Sequence, residues 1–231
     1  MRVLHWNVHM WRTAAGRSSR DEVAEVIRRA DPDVVSLVEV DEPWGKAPTL
    51  AALADELGYA WVFVPAFEYR CEGGFGNALL SRSPLSAVHQ WQLLSPRLYD
   101  GTEPSEPRAV VLAKTVMDTR PVWVGSTHLP RRDAAMRSEA AGRLLGLLHG
   151  LDGPFIVCGD FNQPPEAWLA TGSSPAASPA VPTYPTSAPT ERIDYGLLAG
   201  TVAETRVIAS TASDHVPVLL NVTFAAQTES S

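Results

Sequence analysis

The sequence predicts an α/β fold in which the strands pair mainly in the antiparallel direction. Many short strand patterns are mixed with a few helical patterns along 231 residues, of which 45% are hydrophobic. Tight turns join many strands to the next, and they favour antiparallel pairs because a parallel pair needs a long crossover. The chain is long enough to bury a substantial core. We interpret it as one domain over residues 1–224 with a disordered tail at 225–231.

Apolar periodicity and turn residues place the individual elements. Runs rich in β-branched and aromatic residues, bounded by polar residues, predict strands. The predicted strands are Arg2–Val8, Val34–Val40, Tyr59–Pro65, Asn77–Ser81, Leu85–Trp91, Arg108–Val116, Val122–His128, Phe155–Gly159, Ile193–Leu198, Thr205–Ile208 and Val216–Val222. Helical spacing predicts a helix after the capping-box pattern Ser19–Glu22, a second over Thr49–Leu57 that ends at Gly58, and a third over Asp133–His149.

Two strand pairs are predicted to be hairpins because only a short turn separates their members. The first pair is Asn77–Ser81 with Leu85–Trp91, and the second is Arg108–Val116 with Val122–His128. The segment 172–189 is rich in Ser, Pro and Ala, and is either a domain linker or a surface loop. We favour a loop, since the two or three strands after it are too few for a second domain.

The composition restricts the partners. The formal net charge is −7, whereas tight binding of long duplex nucleic acid needs a basic surface that neutralises backbone phosphates. We therefore expect no long duplex partner, although a local basic patch is compatible with an acidic total. No apolar run reaches the length of a membrane span and no signal peptide precedes the first strand, so we expect a cytoplasmic protein. Cys71 and Cys158 define no disulfide, Cys158 is predicted to be buried, and nothing indicates an obligate protein partner.

Eight polar residues stand at the ends of otherwise apolar strands or interrupt them. A carboxylate in such a strand is costly unless it is paired or bound to a metal. Any one of the eight is compatible with an ordinary cap or turn. Together, without a cluster of Cys and His, they indicate an oxygen-rich site for a hard cation such as Mg²⁺. These residues are Asn7, Glu39, His128, Asp160, Asn162, Asp194, Asp214 and His215.

Seven short motifs follow one another in an order that is typical of a known family. They are Arg2–Asn7, Asp33–Val40, Gly76–Arg82, Ser126–Leu129, Cys158–Asn162, Arg192–Tyr195 and Ser213–His215. In this order they resemble the endonuclease/exonuclease/phosphatase (DNase I-like) family over nearly the whole chain. The resemblance implies a four-layer α/β sandwich, in which two mixed, mainly antiparallel sheets pack face to face with helices on the outside.

The resemblance also implies a metal-dependent chemistry. Members of the family hydrolyse phosphate esters by in-line attack of water, assisted by one or two divalent ions. Mg²⁺ is the implied cofactor, and Mn²⁺ is expected to replace it. By position in the motifs, Glu39 is the main metal ligand, Asn7 lies beside it, and Asp214 is a further carboxylate on the metal side. Zinc fits less well because no close pair of His or Cys residues stands at ligand spacing.

Five further residues are implied to be catalytic. Asp160 orients or deprotonates the attacking water, and Asn162 holds a phosphate oxygen or the nucleophile. His215 contacts the phosphoryl group, and Asp194 orients its ring. His128 contacts the phosphate from the other side. A His–Asp pair is suited to this role because the carboxylate selects the tautomer and favours the imidazolium.

The candidate substrate contacts rest on weaker signals. Asn77 is a candidate for an amide that faces the phosphate. Arg108 either binds phosphate or is a solvated arginine at the start of a strand. Arg131, Arg132 and Arg137 either face the substrate or form an ordinary charged surface.

Three functions stay open from the sequence. The leading one is a phosphodiesterase or phosphatase that acts on a small or medium phosphorylated substrate. The second is an endonuclease or exonuclease for short or single-stranded nucleic acid, whose bases would stack on tryptophans. The third is a non-catalytic binding module on the same fold. A basic groove beside the metal would favour the nuclease.

Overall fold

Two six-stranded sheets and three α-helices make up the part of the fold that the structure describes. A computed structural model of the chain describes residues 1–44, 48–69, 73–94, 106–170 and 175–226. The strands are β1 (Arg2–Asn7), β2 (Val34–Pro43), β3 (Ala60–Tyr69), β4 (Gly73–Ser81), β5 (Ser86–Leu94), β6 (Arg108–Met117), β7 (Arg120–His128), β8 (Phe155–Asp160), β9 (Ala176–Ala177), β10 (Asp194–Ala199), β11 (Thr201–Val207) and β12 (Val218–Phe224). The helices in the described residues are α1 (Arg20–Ala30), α2 (Thr49–Leu57) and α3 (Ala134–His149), with 3₁₀ turns at His9–Trp11 and Pro165–Ala167.

Both sheets are mixed and mainly antiparallel. The first has the order β11-β12-β1-β2-β4-β3 and the second the order β5-β6-β7-β8-β10-β9. The parallel pairs are β1 with β2 and β7 with β8, and the other neighbouring pairs are antiparallel. Each parallel pair is joined by a crossover that contains a helix, α1 in the first sheet and α3 in the second. The predicted mixture of strand directions is confirmed.

Three apolar clusters show how the layers stack. The cluster between the sheets contains buried residues of both, among them Val3, Leu79, Val111, Val124 and Ile156. A second cluster joins α1 and α2 to the outer face of the first sheet, through residues such as Ile27, Leu53, Leu4 and Leu37. A third joins α3 to the outer face of the second sheet, through Leu144, Leu148, Leu112 and Val157. Three apolar interfaces separate four layers, so the predicted four-layer α/β sandwich is confirmed.

One of the two predicted hairpins is wrong. β4 lies in the first sheet between β2 and β3, whereas β5 is an edge strand of the second sheet and pairs with β6. The short connection at 82–85 therefore carries the chain from one sheet to the other. β4 is buried along its whole length and most of β5 is exposed, so their environments differ although a turn joins them. The other hairpin, β6 with β7, is confirmed.

The predicted helices are found with small differences. α2 has the predicted bounds and ends at Gly58, whose φ of 75° is in the left-handed region. α3 begins after Asp133, whose side chain accepts a hydrogen bond from the Met136 amide. α1 begins after Ser19, but the Ser19 side chain makes no capping hydrogen bond, so the sequence pattern marked the helix start without forming the capping box. No helix in the described ranges is long and apolar enough to cross a bilayer.

The Ser- and Pro-rich segment packs against the second sheet over its described part. Residues 176–177 form β9 and pair with β10, and Thr183 is fully buried. Residues 171–174 and the predicted tail from 227 onward lie outside the described residues, as does Cys71. Cys158 is a buried free thiol, as predicted.

Candidate active site

The polar residues singled out in the sequence converge at one end of the sandwich. Asn7 ends β1 and Glu39 lies in β2, two parallel strands that run side by side. His128 ends β7 and Asp160 ends β8, the parallel pair of the other sheet, where the two residues are in register. Asp194 begins the antiparallel strand β10 and is paired with Asp160. The strand ends of both sheets therefore place these side chains together.

A β-bulge displaces Glu39 from the regular ladder of its strand. The register between β2 and β4 shifts between Leu37 and Val40, both of which are fully buried. Glu39 itself has a φ of 55°, which is uncommon for a residue other than glycine. A bulge re-aims a side chain that would otherwise follow the strand alternation. Here it allows one carboxylate to leave an apolar strand and enter the site.

Asn7, Glu39 and Asp160 form the acidic centre of the site. The Asn7 side-chain Nδ2 donates hydrogen bonds to Glu39 Oε1 and to Asp160 Oδ2, each of 3.1 Å. The amide nitrogen thus occupies a place between two carboxylates, where a cation is also favoured. The opposite orientation of the amide would present Oδ1 there. Carboxylate and amide oxygens are the ligands that Mg²⁺ prefers, so the donor set fits a hard divalent cation.

Asp194 and His215 meet in a buried pair, as the sequence predicted. His215 Nδ1 donates to Asp194 Oδ2 at 2.8 Å, and His215 Nε2 lies 3.7 Å from Asp160 Oδ2. The Trp6 indole donates to the backbone carbonyl of His215 at 2.9 Å and holds this part of the loop. Asp194 also accepts a hydrogen bond of 2.5 Å from Thr183 Oγ1. The imidazole therefore has a fixed orientation, with one nitrogen on Asp194 and the other toward Asp160.

The charges of this pair follow from burial and mutual attraction. Burial disfavours the His215 imidazolium, but the charge of Asp194 and the hydrogen bond to it prevail and raise the His215 pKa to about 10. Burial also opposes ionisation of Asp194, but the charge and hydrogen bond of His215 lower its pKa. Burial, and then the negative charge of Asp194, raise the pKa of Asp160 to about 7. Burial raises the pKa of Glu39 as well.

His128 and Asn162 form the opposite wall of the site. Asn162 Nδ2 lies 2.9 Å from the Leu129 carbonyl and 3.0 Å from His128 Nε2. A carbonyl accepts only, so Nδ2 is the donor in both contacts and the neutral His128 ring carries its proton on Nδ1. Burial, followed by the charge of Arg108, holds the His128 pKa well below its usual value. His128 Nδ1 is buried without a hydrogen-bond partner among the described residues and lies 4.0 Å from Glu39 Oε1.

Asp214 lies at the rim of the site. Its Oδ1 is 3.5 Å from His9 Nδ1 and accepts a hydrogen bond of 3.2 Å from Ser213 Oγ. In the described residues, one ligand atom each from Asp160, Asp194 and His215 also lie within 4.8 Å of one another. Asp194 and His215 satisfy each other by a hydrogen bond, so the oxygens around Glu39 and Asp160 are the better place for a hard cation.

The two candidate substrate contacts are both buried. Asn77 Nδ2 donates to the Ala109 carbonyl at 2.8 Å and so links β4 of one sheet to β6 of the other. Arg108 is only 5% exposed and forms an ion pair of 2.9 Å with Glu106. Its Nε has no partner among the described residues. The alternative that Arg108 is a solvated strand-end residue is therefore wrong, whereas phosphate binding by Arg108 and Asn77 stays a prediction.

Comparison with known proteins identifies the family. A model of the endonuclease/exonuclease/phosphatase family matches residues 4–215. The chain belongs to the endonuclease/exonuclease/phosphatase family. The sequence matches no curated protein.

Solved structures of other proteins share the fold. An endonuclease/exonuclease/phosphatase from Beutenbergia cavernae has a TM-score of 0.75 and 22% identity, with 97% of this chain and 71% of that chain covered. A mannosyl-6-phosphatase from Bacteroides thetaiotaomicron has a TM-score of 0.75 and 17% identity, with coverage of 97% and 100%. TDP2 from D. rerio, complexed with a single-strand DNA product, has a TM-score of 0.74 and 14% identity, with coverage of 96% and 98%.

Sequence reasoning missed several residues that contact Asp194 or lie beside it. His5, fully buried in β1, lies with Nε2 3.3 Å from Asp194 Oδ1 and Nδ1 3.0 Å from Ser36 Oγ. Ser36 in turn donates to Ser126 at 2.9 Å across the two sheets. His5 stands only two positions before Asn7, but it lies inside the apolar strand pattern and not at its end. Thr183 lies in the low-complexity segment, where no sequence signal was available.

Proposed function

We propose that the protein is a divalent-metal-dependent hydrolase that cleaves a phosphate ester by in-line attack of an activated water, as a phosphatase or phosphodiesterase. The observation that carries this proposal is the position of Asp160. Its Oδ2 accepts a hydrogen bond from Asn7 and lies 3.5 Å from His128 Nε2 and 3.7 Å from His215 Nε2. A potential proton acceptor thus stands between a cation-binding edge on one side and the His128 ring and the His215 Nε2–H donor on the other.

Asp160 is suited to remove a proton from water at neutral pH. Its pKa, raised to about 7 by burial and by the charge of Asp194, lies close to the operating pH, where a general base works best. The Asn162 backbone N–H donates to the other carboxylate oxygen, Oδ1, at 3.0 Å. Asp160 therefore presents Oδ2 to the centre of the site, where a water would lie.

The two histidines are suited to hold the phosphoryl oxygens. His215 is an imidazolium at neutral pH, since its pKa is raised to about 10, and its Nε2 is free of Asp194. His128 offers the unpaired Nδ1–H described above. Donors placed in advance where negative charge develops lower the barrier without a reorganisation cost. Glu39 and Asn7, with Asp214 at the rim, would hold the divalent ion, which neutralises negative charge on the phosphoryl group when bound.

The substrate in this proposal is a small or medium phosphorylated molecule. A phosphatase and a protein with a single-strand DNA product both have this fold, so the fold is compatible with either class. The net charge of −7 favours the smaller substrate because long nucleic acid needs many compensating cations. One observation keeps the nuclease as a second candidate. Trp44 directly follows β2, the strand that contains Glu39, and is 45% exposed, as a residue that stacks bases would be.

We expect at least one small phosphate ester to be hydrolysed with Mg²⁺ or Mn²⁺. The measurement is phosphate or leaving-group release from a panel of nucleotides, sugar and inositol phosphates, phospholipid headgroup esters, oligonucleotides and plasmid. Excess EDTA should abolish the activity, and added Mg²⁺ should restore it, because the oxygen ligands around Glu39 fit a hard cation. Full activity in chelator would contradict the metal-dependent chemistry. Inactivity on the whole panel would favour the non-catalytic binding module.

Binding of duplex DNA should be weak. For a 20-base-pair duplex at physiological salt, we expect a Kd no tighter than about 10⁻⁶ M, because the acidic total leaves few phosphates neutralised. Fluorescence anisotropy with the inactive Asp160→Asn variant measures this without cleavage. A nanomolar complex that weakens steeply with added salt would instead place the nuclease ahead of the small-molecule phosphoesterase.

A further inference from the structure

Arg131 and His215 both contact the ring of Tyr184 beside the site. The Arg131 Cζ lies 4.7 Å from the centroid of the Tyr184 ring. The Tyr184 ring also contacts the His215 imidazole. The centroids of these two rings are 4.8 Å apart, and their planes are inclined by 45°. Arg131 comes from the loop between β7 and α3, whereas Tyr184 comes from the Ser- and Pro-rich segment. Two segments that are distant in the sequence thus bring the Arg131 guanidinium and the His215 imidazole into contact with the same aromatic ring.

The structure shows different environments for Arg131, Arg132 and Arg137, which the sequence could not distinguish. The Arg137 guanidinium is used internally, with Nη1 donating to the carbonyls of Pro130 and Arg131 at 3.0 and 2.7 Å. These bonds hold the turn that carries Arg131. Arg132 is exposed and makes no hydrogen bond or ion pair with the residues that the structure describes. Arg131 alone of the three is stacked beside the site.

The Arg131 side chain is oriented by its neighbours and remains accessible to a ligand. Stacking fixes one face of the planar guanidinium, and the residue remains exposed. The guanidinium keeps its positive charge at any physiological pH, so this side chain presents a fixed cation beside the Tyr184 ring. An oriented guanidinium presents a fork of donors that matches two oxygens of a phosphate or carboxylate.

We propose that Arg131, held on Tyr184, is a specificity-determining residue that binds a second anionic group of the substrate. The substrate class is then a phosphate ester that carries another phosphate or carboxylate close to the reacting phosphoryl group. Arg131 and His215 both contact the Tyr184 ring, so in this proposal Arg131 binds the second group and His215 contacts the reacting one. This inference rests on the proposed phosphoester hydrolysis at Asp160 and adds the substrate class to it.

The test compares substrates that differ only in the second anion. One pair is fructose 6-phosphate and fructose 1,6-bisphosphate, and the other is the thymidine dinucleotide without and with a 5′-phosphate. We expect the wild-type protein to prefer the member with the extra phosphate in at least one pair, and that pair identifies the source of the anion as a sugar or a nucleotide. Arg131→Gln should raise KM for the preferred member by about tenfold, as the loss of a charge-assisted contact implies, with kcat unchanged.

The matched control is Arg132→Gln, which removes the same charge one position away and should leave both KM values unchanged. Arg131→Lys keeps the charge without the planar fork and should give an intermediate KM. Equal losses for both members of a pair in Arg131→Gln would show a merely structural role and overturn the proposal. The same KM change in Arg132→Gln would do so too, because it would reflect net charge alone.

A binding measurement separates this inference from the proposed function. If the wild-type protein hydrolyses neither pair, calorimetry with the same compounds in Mg²⁺ measures their affinity directly. Tighter binding of the member with the extra phosphate, lost in Arg131→Gln and kept in Arg132→Gln, supports the anion site although the hydrolase proposal has failed. Equal affinity of the wild-type protein for both members overturns the anion site.

Discussion

Replacement of Asp160 by Asn is expected to lower kcat by about 10³-fold or more, since a general base contributes roughly 10²–10⁴-fold. The amide keeps the shape of the side chain but cannot accept a proton from water. The measurement is steady-state hydrolysis of the best substrate in the panel with saturating Mg²⁺. Asp118→Asn is the matched control, because it makes the same change in the exposed turn between β6 and β7, away from the site, and it should leave kcat unchanged.

The same replacement should leave the fold as stable or make it more stable in the absence of metal. The folded-state pKa of Asp160 is raised to about 7 from a usual value of 3.8, so the folded state disfavours the ionised form. This group contributes its full stability below pH 3.8 and loses it as the pH rises through about 7. At pH 8 in chelator, Asp160→Asn should therefore raise the Tm. A clear fall in Tm together with the loss of activity would indicate that Asp160 supports the structure rather than the reaction.

Asp194→Asn should lower kcat by about 10²-fold or more, because a histidine that is wrongly oriented or uncharged no longer serves as the cationic donor. Asp194 Oδ2 accepts from His215 Nδ1 at 2.8 Å, so the two residues act as a unit. The double variant with His215→Ala should be about as impaired as His215→Ala alone. Fully multiplicative losses in this cycle would show that the two side chains act independently.

The pH dependence of stability gives a second readout for this pair. The His215 pKa is raised to about 10 from a usual value of 6.5. The pair therefore contributes its full stability below pH 6.5, and this contribution is lost as the pH rises through about 10. The difference in free energy of unfolding between the wild-type protein and Asp194→Asn should shrink over that interval, and the NMR titration of the His215 ring should move to lower pH in the variant. Thr183→Val removes another hydrogen bond to the same carboxylate and should leave the His215 titration close to wild type.

Much of the site was predictable because it is built from strand ends. Asn7, His128 and Asp160 each follow an apolar run, and such runs can be recognised without knowledge of their neighbours. Parallel strands that end at the same edge then place their terminal residues together. The family motifs added the order of these residues, and that order carried the metal-side and catalytic assignments. The same local patterns predicted α2, α3 and the β6–β7 hairpin.

The partners of these elements were not predictable from local patterns. The turn after β4 predicted a hairpin with the next strand. β4 is instead buried along its whole length and lies between β2 and β3 in the first sheet. The strained φ of Glu39 arises from a shift in register between two strands, which exists only when they are paired.

The contacts that complete the site join residues far apart in the sequence. His5 and Asp194 are 189 positions apart, and Tyr184 of a low-complexity segment contacts both His215 and Arg131. The sequence by itself determined which strands carry the chemistry, because apolar periodicity and polar strand ends are local properties. Only the tertiary structure decided which side chains touch Asp194 and which of three arginines faces the site, because those contacts depend on how the two sheets and the long loop pack against one another.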